Sequence, residues 1–378
     1  MEESNPDLCI YAEYLCPEEE VQPLNARKWV RNFLIIILAF LVATGALVIY
    51  LDPYFHYHAP LEGWYYELSD QRSQNDGITK QFDYNAIIIG TSTIENCRTS
   101  EFDEIFGVSS IKLPYPGGTF KEINDDLEAA FATHDDIEIV LRVLDYSLLV
   151  TDKDAMRYDM GDYPDYLYDS NPFNDIEYLY NLDVLLYHIL PMLKNRISGV
   201  EGGVTSFDDY GSSANDVCSW ENALQGRTSF SAAEEQDHLT EDEITMLTEN
   251  IEQNVIAIAN EHPETTFYLF FAPYSAAWYG YLKEEGTLVE QFEAVEIAAR
   301  LILEQTDNIE LYTFSLNTDL TFNLDNYKDK AHYSPDVNSM ILNWIAEGEG
   351  RLTLDNLDEF IEQEAELYLD YDYNELIP

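Results

Sequence analysis

The hydrophobic pattern of the chain begins with one uncharged run that is long enough to cross a bilayer. Residues 33–51 form this run of 19 residues. As a helix they would span about 28 Å, close to the thickness of the hydrocarbon core. We therefore predict a transmembrane helix over residues 29–51, preceded by an acidic, proline-containing tail over residues 1–28.

Basic residues flank this predicted helix on one side only. Arg27, Lys28 and Arg31 lie at its start, whereas no Lys or Arg follows the apolar run until Arg72. By the positive-inside rule, this asymmetry predicts a single-pass protein of the cell membrane with a cytoplasmic N-terminus and an extracytoplasmic main domain. The segment that follows, "YLDPYFHYH", is bulky and aromatic, so it lacks the small residues of a signal-peptide cleavage site.

From residue 85 onward, short apolar runs alternate with helical patterns. This alternation predicts a parallel sheet with helices on both faces. We expect one three-layer α/β/α, flavodoxin-like domain over residues 85–348, with about five parallel strands. The predicted strands are 86–89, 110–113, 138–144, 266–272 and 309–314, and the predicted helices are 100–106, 120–133, 241–261, 288–304 and 334–347.

Three segments lie outside this alternation. Residues 52–84 are aromatic without clear periodicity, so we expect a juxtamembrane segment beside the lipid headgroups and the base of the domain. Residues 151–236 form a long insertion rich in Tyr, Asp and Gly, which is either a lid over a substrate site or a decorated surface. Residues 349–378 predict an acidic C-terminal helix or tail. The apolar residues of that helix are Leu354, Leu357, Phe360 and Ile361.

The charge of the chain narrows the classes of partner. It carries 72 Asp and Glu against 19 Lys and Arg, a formal net charge of -53. Such a surface repels nucleic acid and anionic lipid, so neither is expected as a partner. A solvated acidic surface that keeps the domain soluble is the simplest explanation. Loose binding of divalent cations and life in a salty medium are the alternatives.

The four cysteines do not suggest a metal site. Cys9 and Cys16 fall in the tail, with no nearby histidine and with poor spacing for zinc. Cys97 and Cys218 lie together on the far side of the predicted membrane helix. Only these two could therefore form a disulfide with each other.

A serine follows the first predicted strand closely, in "IIIGTSTIEN". Ser92 would face the crevice beyond the carboxyl ends of the strands, where doubly wound sheets bind ligands. It is either a capping hydroxyl or a nucleophile, and a nucleophilic serine needs a base that is itself oriented by a carboxylate. Among the seven histidines, His332 is the candidate base, because the loop after the last strand opens onto the same crevice. Asp329 lies three residues before it in "KDKAHYSP", a spacing suited to orienting the imidazole or to capping a helix.

These two blocks resemble the SGNH (GDSL-like) hydrolase superfamily. Its first block carries the nucleophilic serine and its last block carries Asp-x-x-His. A transmembrane helix before such a domain is similar to the membrane-anchored cell-envelope branch, which includes alginate O-acetylation proteins and the D-alanine transfer protein of teichoic acid synthesis. The resemblance covers residues 83–347 and implies that Ser92 is the nucleophile, His332 the base and Asp329 the residue that orients it.

The resemblance also implies an oxyanion hole. The second block of the superfamily is a glycine after the second strand, where "YPGGTF" places Gly117 and Gly118, so a backbone N–H from one of them would join that of Ser92. In the third block an asparagine donor is replaced by Asp145 in "LRVLDYSLL", and an ionised aspartate cannot donate to an oxyanion. Asn96 is a possible substitute or else a local cap. Arg142 and Asp145 are also a possible structural ion pair.

The end of the fourth strand offers a candidate substrate wall. Tyr274, Ser275 and Trp278 in "FFAPYSAAWYG" either stack on a sugar or belong to the core. The sequence contains no Gly-x-Gly-x-x-Gly motif, Walker loop or paired zinc ligands, so we expect no nucleotide or metal cofactor.

We expect an extracytoplasmic O-acyl transferase or esterase that acts on a cell-envelope polysaccharide. The acyl group that we expect first is acetyl. The resemblance further implies a membrane-bound O-acyltransferase as donor partner, with an envelope glycopolymer or an acylated carrier as substrate. The divergent third block keeps an alternative open, namely a non-catalytic envelope-polymer assembly or binding subunit with a vestigial triad. A cell-surface lipase would need an apolar lid, and the insertion is acidic.

Overall fold

The structure is a computed structural model that describes residues 25–158, 163–212 and 216–378. Most of the predicted tail, with Cys9 and Cys16, lies outside the described residues. The chain divides into two units, Met1–Leu47 and Val48–Pro378.

The first helix, α1 (Ala26–Leu51), contains the whole apolar run. Among the described residues it is the one helix that is long and apolar enough to span a membrane, with a mean hydropathy of 2.8 in its most apolar window. The prediction of an N-terminal apolar helix is confirmed. Which side of a membrane each end faces stays a prediction.

The second unit is an α/β fold around a six-stranded sheet. The strands are β1 (Tyr65–Tyr66), β2 (Ala86–Gly90), β3 (Ser110–Pro114), β4 (Ile139–Leu144), β5 (Gly203–Val204), β6 (Thr266–Phe271), β7 (Ile309–Tyr312) and β8 (Arg351–Leu352). The main sheet has the order β3-β2-β4-β6-β7-β8. Its first five strands are parallel, and β8 joins the edge antiparallel. A separate parallel pair joins β1 to β5.

The remaining helices follow the predicted alternation and add shorter pieces. They are α2 (Gln71–Gln81), α3 (Thr99–Phe106), α4 (Phe120–Thr133), α5 (Asp165–Tyr168), α6 (Ile176–Leu179), α7 (Leu190–Ile197), α8 (Trp220–Leu224), α9 (Glu241–Ile251), α10 (Ala257–Glu261), α11 (Ala276–Glu285), α12 (Leu288–Gln305), α13 (Thr318–Thr321), α14 (Pro335–Glu347) and α15 (Leu357–Asp370). Wider π-helical turns cover Val184–Ile189 and Glu252–Ile256, and 3₁₀ turns cover Ser92–Ile94, Tyr146–Leu148, Leu324–Asn326 and Tyr373–Leu376.

Continuous apolar runs form the centre of the sheet. Every residue of β2 and β3 is buried, as is nearly all of β4, so these strands are covered on both faces, as parallel strands usually are. The five predicted parallel strands are confirmed. The sixth strand of this sheet, β8, was not predicted, because a strand of two residues is too short to show a hydrophobic periodicity.

The segment 52–84 holds a helix that its hydropathy does not reveal. In α2 the residues Gln74 and Asn75 are buried, although both are polar. Gln74 donates to the carbonyls of Pro53 and Glu67, and Asn75 donates to the carbonyl of Pro114. These hydrogen bonds replace the apolar contacts that a periodicity search detects.

Part of the described insertion packs against this same segment. Tyr210 donates to Asn75 at 2.8 Å, and β5 pairs with β1. In the C-terminal segment, α15 confirms the predicted amphipathic helix, with Leu357 and Phe360 buried. Leu354, by contrast, is 47% exposed.

Candidate active site

Ser92 lies at the carboxyl end of β2, in the 3₁₀ turn Ser92–Ile94. The approach to this turn is narrow, because a Cβ atom at Gly90 would lie 2.3 Å from Val143 Cγ1. Glycine is therefore needed to let the strand end against β4. Behind the turn, Lys112 donates to the carbonyls of Glu95 and Cys97 at 2.5 and 3.0 Å, which holds the chain that follows the serine.

His332 lies in a small hairpin between β7 and α14. Tyr327 and Tyr333 pair across it in antiparallel fashion, and the Lys328 N–H donates to the carbonyl of His332 at 3.0 Å. Ser275 fastens this hairpin to the end of β6, because both its N–H and its hydroxyl donate to the Lys330 carbonyl, at 3.1 and 2.7 Å. The loop is thus tied at both its base and its tip.

The hairpin places His332 and Asp329 so that they form a chain of hydrogen bonds with Ser92. Ser92 Oγ lies 2.7 Å from His332 Nε2, and His332 Nδ1 lies 2.7 Å from Asp329 Oδ2. The other carboxylate oxygen of Asp329 accepts the N–H groups of Ala331 and His332, each at 2.8 Å. The three acceptor contacts of Asp329 and the serine contact are all within hydrogen-bonding range, which is the geometry of a nucleophile, a base and an orienting acid.

The charges of the group determine where its protons reside. Burial acts to raise the pKa of Asp329, but hydrogen bonds from His332 outweigh it and bring this pKa down to about 2. Asp329 is therefore an ionised acceptor, so the proton of His332 lies on Nδ1. Nε2 is then the acceptor of the Ser92 hydroxyl. The hydrogen bond to Asp329 also raises the pKa of His332 above 6.5, against the opposing effect of burial.

A cavity of about 370 Å³ opens beside Ser92 and His332. Its other described lining residues are Thr91, Thr93, Gly117, Gly118, Asp145, Ser147, Leu148, Arg157, Tyr274, Trp278, Lys330 and Ala331. A larger cavity of about 560 Å³ lies beside β8 and α15. We place the candidate site in the smaller one, because no residue of the triad lines the larger.

Two backbone donors are available at the predicted oxyanion hole. Among the described residues, neither the Ser92 N–H nor the Gly117 N–H donates to a backbone carbonyl. Gly117 has a φ of 60°, and its carbonyl accepts from Arg157 Nη1 at 2.5 Å. The Gly118 N–H, however, donates to the Tyr115 carbonyl at 2.7 Å. The expectation that Gly118 supplies a donor is therefore corrected, because its N–H is already used in the turn.

Asn96, the expected substitute donor, does not line the cavity. Its side-chain oxygen accepts from Ser212 at 3.3 Å. This contact joins Asn96 to the insertion, so the catalytic expectation is not supported, and the local cap stays a prediction. Arg157 was not predicted, yet its guanidinium lies at the cavity beside Gly117. It comes from an insertion without periodic pattern, so only its contacts reveal it.

Asp145 has a different role from the asparagine that the resemblance would place there. It is buried and accepts from Thr91 Oγ1 at 2.5 Å and from the Tyr274 hydroxyl at 2.7 Å. Burial raises its pKa, and these two hydrogen bonds oppose that rise. Asp145 thereby joins the ends of β2, β4 and β6. Within the described ranges no ion pair links it to Arg142, whose guanidinium donates to the Asn254 carbonyl instead, so that predicted pair is wrong.

The predicted substrate wall separates into two kinds of residue. Tyr274 and Trp278 line the cavity, and their rings make an edge contact with centres 4.9 Å apart. Ser275 does not line it, because its hydroxyl is buried against Lys330. Lys330 itself lines the cavity, with Nζ 4.3 Å from the ring centre of Tyr281. Two cations, Arg157 and Lys330, thus border the site in a chain with few of them.

The other chemical groups of the chain lie elsewhere. The remaining six histidines do not line this cavity. Cys97 and Cys218 are both free thiols, and Cys97 donates to Asn338 at 2.9 Å. Within residues 25–158, 163–212 and 216–378, no group of three or more His, Cys, Asp and Glu side chains is arranged to hold a metal ion.

Comparison of the sequence with protein-family models gives no match, and comparison with curated protein sequences gives none either. The geometry of the cavity therefore carries the functional reasoning.

Proposed function

We propose that this protein is a membrane-anchored serine acyltransferase or esterase of the SGNH type, with a three-layer, flavodoxin-like catalytic domain. The observation that carries the proposal is the pair of 2.7 Å contacts that join Ser92 to His332 and His332 to Asp329. An α/β sheet with the serine at the end of β2 supports it, as does the apolar helix that precedes the domain.

In the proposed acylation step, Ser92 Oγ attacks the carbonyl carbon of an ester while its proton moves to His332 Nε2. The carbonyl oxygen becomes an oxyanion, which the N–H groups of Ser92 and Gly117 stabilise. The tetrahedral intermediate then collapses, the C–O bond to the leaving alcohol breaks, and His332 returns the proton to that alcohol. Asp329 stabilises the imidazolium and remains ionised throughout.

The second step reverses the first with a different hydroxyl. His332 takes a proton from a sugar hydroxyl or from water, whose oxygen attacks the acyl-Ser92 carbonyl. Breaking of the bond to Ser92 Oγ, with return of the proton, releases the new ester or the free acid. Transfer and hydrolysis thus use the same residues and differ only in the acceptor.

The cavity supports a small acyl group. Its volume of about 370 Å³ is at the low end for ligand pockets, which run from about 300 to about 1,000 Å³. Tyr274 and Trp278 provide aromatic surface of the kind that stacks on sugar rings. We therefore propose O-acetyl transfer to, or removal from, a cell-envelope polysaccharide.

The proposed setting is the outer side of the cell membrane. Arg27, Lys28 and Arg31 precede the apolar run, which favours a cytoplasmic N-terminus. An acyl donor made inside the cell would then have to cross the membrane, so a membrane-bound O-acyltransferase is the proposed donor partner.

One observation favours a second candidate function. Asp145 lines the cavity at the position where the resemblance expects a hydrogen-bond donor for an oxyanion. A protein that keeps the fold and binds the polymer without reacting with it would tolerate this group. The same experiment separates the two candidates.

The test is intact-mass analysis of the full chain in detergent after brief incubation with p-nitrophenyl acetate. Wild type is compared with Ser92→Ala, His332→Ala and, as a matched control, Ser147→Ala, since Ser147 also lines the cavity. We expect one acetyl adduct on Ser92 in wild type and in Ser147→Ala, and none or much slower formation in the other two. Equal labelling and equal ester turnover in all four proteins would favour the binding subunit.

A further inference from the structure

The insertion contains a helical segment that is apolar on two opposite faces. It runs through the π-helical turn Val184–Ile189 into α7. One face is buried in the domain through Val184, Ile189 and Met192. The opposite face, which we call the insertion face, consists of Leu186, Tyr187, Leu190 and Ile197, exposed by 44%, 68%, 52% and 86%. A helix that is apolar all round is normally covered on all sides.

The insertion face lies on helices that are fastened to the chain just after α1. Tyr178 of α6 donates to Asp52 at 2.8 Å and accepts the Tyr54 N–H at 3.2 Å. The rings of Tyr54 and Tyr178 are stacked with centres 5.2 Å apart. The Tyr54 hydroxyl also lies 3.3 Å from Nε2 of His188, in the π-helical turn itself.

Asp52 makes this junction rigid. It is fully buried and accepts the N–H groups of His56, Tyr57 and His58 at 2.7 to 3.1 Å. The segment leaving α1 is therefore a folded part of the domain. Its position determines that of the insertion face.

These contacts tie the helices of the insertion face to Asp52 and Tyr54, close to the end of α1. The apolar run of α1 ends at Leu51, so Asp52 and the residues tied to it lie where the hydrocarbon core gives way to headgroups. Amphipathic helices at that depth bury an apolar face about 5–10 Å into the boundary.

We propose that the insertion face rests on the lipid bilayer that α1 crosses. The residues around it have the chemistry of such a contact. Lys194 is exposed on α7, where its amine can reach phosphate while its alkyl chain follows the apolar surface. Arg196 donates to the Gly63 carbonyl and lies 5.7 Å from the ring centre of Trp64, and Trp is enriched at this interface.

Lipid is a better candidate than a second protein for covering the insertion face, because the connection of this face to α1 already brings it to the bilayer. Once α1 is inserted, no further association is needed to bring the insertion face to the headgroups. The net charge of -53 opposes anionic lipid, so the apolar side chains supply the attraction and zwitterionic lipid is sufficient. This inference rests on membrane anchoring by α1 and does not depend on catalysis by Ser92.

The test attaches an environment-sensitive NBD dye to a cysteine in the full chain, reconstituted into phosphatidylcholine vesicles. Leu190→Cys reports on the insertion face. Leu354→Cys is the matched control, since Leu354 is also a leucine of similar exposure, 47% against 52%. The background replaces Cys9, Cys16 and Cys218 by serine and keeps the buried Cys97. Circular dichroism verifies that each labelled chain is folded, and Ile197→Cys takes the place of Leu190→Cys if the latter does not fold.

Some of the vesicles carry phosphatidylcholine with a nitroxide near the headgroup. We expect the nitroxide to quench the dye at position 190, because amphipathic helices bury their apolar face about 5–10 Å into the headgroup boundary, while the dye at position 354 is unaffected. Equal and negligible quenching at both positions would overturn the proposal. Blue-shifted emission at position 190 without quenching would also overturn it, in favour of a protein partner. Chains that fail to float with the vesicles would refute anchoring, whatever their ester turnover.

Discussion

Replacing Asp329 by asparagine tests the proposed catalytic group at a single pair of atoms. The Asp329 carboxylate accepts backbone N–H groups through Oδ1 and His332 Nδ1 through Oδ2. Asparagine keeps an oxygen for the two N–H groups, so the hairpin retains its shape. Its amide nitrogen then faces Nδ1 and must donate to it, which moves the imidazole proton to Nε2. In that tautomer His332 can no longer accept the proton of Ser92.

The size of the effect follows from this exchange of tautomers. In Ser-His-Asp enzymes the same change lowers kcat about 10⁴-fold. We expect a loss of about 10³- to 10⁴-fold, which corresponds to about 4–5.5 kcal/mol in the activation barrier. Because the backbone contacts remain, we expect little change in thermal unfolding.

The pH dependence supplies a second, independent readout. His332 must be neutral to act as a base, so kcat/KM should rise with pH through the pKa of this group. The hydrogen bond to Asp329 raises that pKa above 6.5 in the wild type; burial and Lys328 oppose the rise, and Asp145 adds to it. Loss of the Asp329 charge should therefore move the acidic limb of the profile to lower pH.

The assay measures kcat/KM for p-nitrophenyl acetate from about pH 5 to about pH 9, where histidine bases titrate. The control is Asp325→Asn, which removes an exposed carboxylate that accepts the Trp220 N–H in the same loop. It should leave both rate and profile unchanged. If Asp329→Asn stays within a few-fold of wild type with the same acidic limb, Asp329 is only a structural cap and the triad reasoning is wrong.

Three further outcomes are expected. Gly90→Ala should lower the free energy of unfolding by about 1–3 kcal/mol. The loss should be smaller in a Val143→Ala background, because the added Cβ meets Val143 Cγ1. If the two substitutions shift the denaturation midpoint by the sum of their separate shifts, this explanation is wrong. Asp145→Asn should move the acidic limb to lower pH, since the charge of Asp145 favours the protonated form of His332; an unmoved limb would argue against that coupling. Burial raises the pKa of Cys97 to about 12, so iodoacetamide should modify Cys218 before Cys97 in the native protein, as peptide mass mapping would show.

The catalytic candidates were predictable because each depends on a short pattern and a topological rule. The run before Ser92 is apolar without interruption, which is typical of a buried parallel strand. Parallel strands present their carboxyl ends at one edge, so the loop with Asp329 and His332 was expected at the same edge. The contact of 2.7 Å between Ser92 and His332 agrees with that expectation.

Other features depended on contacts that no local pattern reports. The polar helix α2 is buried through hydrogen bonds to distant carbonyls, so its hydropathy was misleading. Gly118 and Asn96 were chosen by position, but their polar groups have partners inside the fold. Arg157 reaches the cavity from a segment without periodicity.

By itself the sequence determined the apolar helix, the positions and parallel character of five strands, and the residues suited to nucleophilic chemistry. Those properties follow from periodicity and from residue type, which act over a few residues. Only the tertiary structure decided three other features. These are the backbone N–H groups that remain available to an oxyanion, the residues that donate hydrogen bonds to Asp145, and the face of the insertion that is exposed. The reason is that each polar group makes only a few hydrogen bonds, and the fold decides with which residues it makes them. Those residues can be as far apart in the chain as Ser92 and His332, which are separated by 240 positions.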